Sequence, residues 1–123
     1  MIKELKEFLT ANGYQNIFRD MIPDPANQLD AISLLQWDHT MGTVNDGTGL
    51  RFIQIQVRRG SYDEAKNICT ALFQLLDSGI DETPIHFTPD VFGIARPRRG
   101  PVKMESTGDY TTFYFELALW GQN

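Results

Sequence analysis

The chain has 123 residues, of which 41% are hydrophobic and 22% charged, and its net charge is −5. These values suit one globular domain with a core of useful size. They exclude a nucleic-acid binder that works through overall positive charge, and a helical membrane protein, because no apolar run approaches the roughly 18–20 residues that span a bilayer.

Residues 2–12 predict a short helix with Ile2, Leu5, Phe8 and Leu9 on one face, and Gly13 is placed to end it in a left-handed turn. This stretch reads as an amphipathic helix and not as a signal peptide, for it lacks a continuous apolar centre and a small-residue cleavage site. "IFRDMIPDPANQLD" reads as loop, because Pro23 and Pro25 oppose regular structure. Ala31 to Asp38 is a strand candidate. His39 to Gly49 then forms a connection whose Gly42, Gly47 and Gly49 give turn freedom. The glycine-rich part leads into a strand rather than a helix, so it lacks the geometry of a dinucleotide loop.

"LRFIQIQVRR", Leu50 to Arg59, is the clearest strand: Ile53, Ile55 and Val57 alternate with Gln54, Gln56 and Arg58. It is expected to pair as a hairpin with the preceding strand. Ser61 is a good helix N-cap, and Glu64, three residues on, completes a capping box. The helix should run from about Tyr62 to Asp77, with Ala65, Ile68, Cys69, Leu72, Phe73 and Leu76 facing the core. "DETPIHFTPDV" reads mostly as loop, Phe92 to Arg96 as a strand, and Ala95 to Lys103 as a stiff basic loop. Asp109 to Gly121 is the last strand, with Phe113, Phe115, Leu117 and Leu119 on one face. The expected architecture is a single α+β domain over residues 1–123. It has two layers: a four-stranded, mainly antiparallel sheet and two helices on one face, in the order helix–strand–strand–helix–strand–strand.

The chemistry-bearing residues give little sign of an enzyme. The joint "VRRGSYDEA" offers helix amides beside Arg58 and Arg59, yet it has no P-loop pattern, and Asp63 and Glu64 oppose an anion there. His39 and His86 lie in no metal-ligand spacing. Asp77, Asp81, Glu82 and Asp90 read as a solvated acidic loop. Cys69 is the one cysteine, which excludes an internal disulfide; it sits on an apolar helix face and so reads as a small buried side chain. A reducing compartment fits. No catalytic, metal or cofactor residue is nominated. "ARPRRGPVK" is the most informative stretch, with Arg96, Arg98, Arg99 and Lys103 set among Pro97, Gly100 and Pro101. Proline restricts the free chain, so a stiff arginine-bearing segment loses less entropy on docking to carboxylates or phosphates.

"MIPDPANQLDAISLLQWD", "IQIQVRRGSYDEAKNICTALFQLLD" and the closing "TTFYFELALWG" resemble, in order and spacing, the minor capsid or tail-terminator proteins of long-tailed bacteriophages. The resemblance implies a structural role at the virion neck, with assembly in the host cytoplasm. Such a protein forms a hexameric ring on the head-proximal end of the tail tube and joins tail to head. Its partners would be other copies of itself, the tail-tube protein and a head-connector protein, with DNA passing through unrecognised and no membrane involved. Another neck protein, of head-completion or stopper type, fits the same pattern. A small RNA- or anion-binding module using Arg96–Lys103 is the alternative from another class. For the ring reading the expected contacts are the Arg96–Lys103 loop and the polar sheet face meeting acidic surface from residues 20–46. Arg58 and Arg59 would be rim contacts at most.

Overall fold

In the computed structural model, residues 2–38 and 48–122 are described. Eight elements follow one another: α1 (Ile2–Ala11), β1 (Ile17–Arg19), β2 (Ala31–Asp38), β3 (Thr48–Arg59), α2 (Tyr62–Leu75), β4 (Ile85–Thr88), β5 (Val91–Ser106) and β6 (Thr111–Gln122). The strands form one six-stranded sheet in the order β1-β2-β3-β6-β5-β4. β1 runs parallel to β2, and every other pair is antiparallel.

The expected four-stranded, mainly antiparallel sheet is therefore corrected to a six-stranded mixed sheet, curled into a half-barrel. Three segments account for the difference. Ile17–Arg19, read as loop, is a three-residue strand bracketed by Asn16 (φ 59°) and Asp20 (φ 54°), two residue types that tolerate the left-handed region. Ile85–Thr88, also read as loop, is a short edge strand hemmed in by Pro84 and Pro89. The supposed basic loop lies within β5, which is 16 residues long and pairs with β6.

The remaining boundaries lie close to expectation. α1, α2, β2 and β6 fall within a few residues of their expected ends, and Gly13 carries the left-handed φ of 92°. β2 and β3 pair as the expected antiparallel partners. Of the expected His39–Gly49 connection, Thr48 and Gly49 belong to β3. Residues 39–47, with Gly42, Gly47 and His39, lie outside the described residues.

The two-residue period of the strands sends Ile53, Ile55, Val57, Phe113, Phe115, Leu117 and Leu119 to one face, where all are buried. α2 lies over the middle strands: Phe73 meets Phe115 edge-on at 5.3 Å and Tyr62 meets Phe113 at 5.2 Å. α1 reaches both margins of the sheet. It packs against β1 and β2 on one side and β4 on the other, where Phe8 and Phe87 meet at 5.5 Å. One helix can touch both margins only because the sheet curls around it. Ile2, Leu5 and Leu9 of α1 thus share a single core with Ala65, Cys69, Leu72 and Leu76 of α2.

β5 carries a pronounced bulge opposite Phe115. Arg98 pairs with Glu116 and Val102 with Tyr114, so Arg99, Gly100 and Pro101 crowd into the space of one partner. Arg99 takes φ 54°, and a Cβ on Gly100 would lie 2.5 Å from the Tyr114 carbonyl oxygen and 2.8 Å from the Phe115 Cβ. Only glycine allows the strands to approach so closely. Gly100→Ala should therefore lower stability by about 1–3 kcal/mol in urea unfolding, as overpacking does. Gly108→Ala, where no atom lies within 4 Å of the new methyl, should leave the midpoint unchanged. Equal effects of the two substitutions would contradict this account of the bulge.

Candidate functional site

The face of the sheet opposite the helices carries the polar half of each strand's alternation. Cross-strand register places Gln54 of β3 beside Glu116 of β6, and Glu116 beside Arg98 of β5. The neighbouring rows are Gln56–Tyr114–Val102 on one side and Phe52–Ala118–Arg96 on the other.

Glu116 is the unusual member, because its side chain is only 10% exposed. Burying a carboxylate is costly unless cations accompany it. Two do: the Arg98 Nε lies 3.4 Å and the Arg99 Nε 3.5 Å from Glu116 Oε1. These are ion-pair separations rather than hydrogen bonds, and both Glu116 Oε1 and Arg98 Nε are buried without a hydrogen-bond partner. The Arg98 guanidinium also lies over the Phe52 ring, 4.4 Å from its centroid, which adds cation–π attraction. The bulge makes this arrangement possible. In a regular strand Arg98 and Arg99 would point to opposite faces, but the left-handed turn at Arg99 brings both to one carboxylate.

The other residues singled out from sequence fall elsewhere. Arg96 pairs with Glu82 at 3.4 Å, and Lys103 lies exposed on β5 opposite Phe113, three residues along β6 from Glu116. Arg58 and Arg59 are buried and do not join this cluster. Arg58 donates to the Leu29, Pro23 and Gln28 carbonyls at 2.9, 2.8 and 2.6 Å and faces the Tyr110 ring, so it ties the loop ahead of β2 to the sheet. Arg59 donates to the Arg58 carbonyl and pairs with Glu64 at 3.4 Å. Ser61 is the N-cap of α2 and accepts from the Glu64 amide at 3.4 Å. Glu64 sends its carboxylate to Arg59, so it links the end of β3 to the start of α2.

Sequence reasoning missed Glu116 and Phe52, whereas the acidic loop from Asp20 to Asp30 lies within the acidic surface it named. The pairing of Glu116 with Arg98 follows from a register across two strands that no local pattern encodes. Elsewhere, His86 stacks on Phe92, and Asp77 accepts from the Gly79 amide. Among the described residues no cluster of histidine, cysteine and carboxylate side chains is arranged to hold a metal. No helix among them is long and apolar enough to cross a membrane. Burial pushes the Cys69 thiol up to about 12. No family model, characterised protein or solved structure matches the chain.

Two outcomes follow. Arg98→Ala/Arg99→Ala leaves a buried carboxylate without cations and should cost on the order of 2 kcal/mol, whereas Glu116→Gln should cost clearly less. Denaturant midpoints of the two variants decide it, and the reverse order would contradict the pairing. The Cys69 thiol ionises more readily in the unfolded chain, near its ordinary 9.0, than in the folded one. Its contribution is thus intact below pH 9 and lost as pH rises toward 12. Cys69→Ala should flatten the alkaline fall in stability, and an unchanged slope would count against a buried thiol.

Proposed function

We propose that this chain is a non-enzymatic structural subunit of a long-tailed phage, a tail terminator that closes the head-proximal end of the tail tube as a ring and joins it to the head. The observation that carries the reading is the arginine pair on the open sheet face. Two guanidiniums are held by a buried carboxylate and flanked by the exposed side chains of Val102 and Trp120. Arginine and large apolar side chains in this mixture characterise protein interfaces. The segments that resemble the family also belong together in space. They cover the loop ahead of β2, the β3–α2 joint and β6, and these elements form the middle of the sheet and its covering helix.

In this reading the partners are neighbouring copies, the tail-tube protein and the head connector, and no cofactor is required. An RNA- or anion-binding module is the second reading, because the same arginines keep terminal amino groups to offer to a phosphate. The two differ in salt response: phosphate binding weakens steeply with salt, whereas a packed ring interface does so far less.

Adding the purified protein to polymerising tail-tube protein should shorten the tubes and place a ring at one end in negative-stain images. Tubes of unchanged length without terminal density would contradict the proposal.

A further inference from the structure

The arginine pair has donors to spare. Both arginines approach Glu116 through Nε, and among the described residues no hydrogen bond engages their terminal amino groups. Glu116 balances one of the two positive charges, so the cluster retains about one unit of positive charge and a pair of guanidinium forks. Arg99 is 68% exposed and Arg98 40%, so both forks are accessible. The close-packed bulge, with Pro97 and Pro101 in the same strand, fixes the backbone that carries them. A fixed fork loses little entropy on binding, and its geometry matches a carboxylate.

A complementary surface lies on the same chain. Residues 1–50 hold three basic side chains (Lys3, Lys6, Arg19) against seven acidic ones. Within the loop between β1 and β2, Met21 and Ile22 are 49% and 52% exposed and stand between Asp20 and Asp24. This loop is held in shape: Arg58 binds three of its carbonyls, Asp20 Oδ1 accepts from the Gln36 amide at 3.2 Å, and Asp24 Oδ1 accepts from the Ala26 amide at 2.9 Å. Among the described residues no hydrogen bond engages the second oxygen of either carboxylate. The result is a firm apolar knob between two acids, and it answers the two arginines between apolar Val102 and Trp120 in charge and in character.

We propose that the Arg98–Arg99 fork binds the Asp20–Asp24 loop of a second copy of this chain. The two patches differ, so the contact is heterologous: each copy uses its knob on one neighbour and its fork on the other, and a ring results where the rotation closes. This rests on the reading of the chain as a ring subunit and names the surfaces involved.

Sedimentation equilibrium of the purified chain tests it, at concentrations up to on the order of 1 mM. The chain should self-associate, and Asp20→Asn/Asp24→Asn should weaken association at least about tenfold without lowering the melting temperature. R98K/R99K retains charge beside Glu116 but loses the forks, and should weaken association similarly. Combining the two pairs should cost little more than either alone, because the residues act on one another. Carbodiimide should join the introduced lysines to Asp20 or Asp24 of another copy, identified by mass spectrometry. A chain that stays monomeric throughout, fully additive losses, or intermolecular cross-links only to other carboxylates would overturn the proposal. So would an arginine pair that serves only to bind a labelled oligonucleotide. Tube capping is measured separately. Self-association through these residues with no effect on tail tubes would refute the terminator reading and leave the interface standing.

Discussion

The two-residue period of β6 is the constraint on which the rest depends. This strand pairs with β3 along one edge and β5 along the other, so each of its side chains belongs to one of two surfaces. Phe113, Phe115, Leu117 and Leu119 meet the helices, while Tyr114 and Glu116 face away. A slip of one residue would put a carboxylate into the core and a phenylalanine on the surface. The burial of Phe115 against Phe73 thus also sets the place of Glu116, and with it the place of two arginines. Core packing and the charged cluster are two faces of one strand.

β5 adds the second device. Beyond Gly93 its outer edge is left behind by the short β4, and further along the Ser78 hydrogen bonds to Ala95 and the Arg96–Glu82 ion pair reach it. A long free edge invites pairing with another sheet. Here it carries Pro97, Pro101, a bulge at Arg99 and several charges, each of which opposes strand addition. The features that made this stretch resemble a loop are those that keep an edge strand from sticking to other edges. They leave side chains, not backbone pairing, as what this edge presents.

The helices and the long central strands were legible because their signals are local. Alternation in Ile53–Val57 and helical spacing in Ala65–Leu76 need no knowledge of partners. β1 and β4 were not legible, because they are three and four residues long and exist through the neighbours they pair with. Proline misled at β5, where it sits within a margin strand and a bulge rather than in a turn. The arginine-rich segment was visible as a candidate from composition alone. Its organising carboxylate was not, because Glu116 looks in sequence like one more polar position in an alternating strand. Arg58 shows the opposite error. An arginine on a polar strand face suggests surface, yet its forked donors are taken up by the carbonyls of a loop about 30 residues earlier.

In the proposed assembly, copies of this domain meet through the fork on β5 and the acidic knob ahead of β2. Hydrogen–deuterium exchange on dilute and concentrated protein tests that claim most directly. Amides in residues 20–24 and 96–103 should slow together as concentration rises, with the core of α2 unaffected. Exchange that is independent of concentration in both segments, or slowed in only one of them, would contradict it.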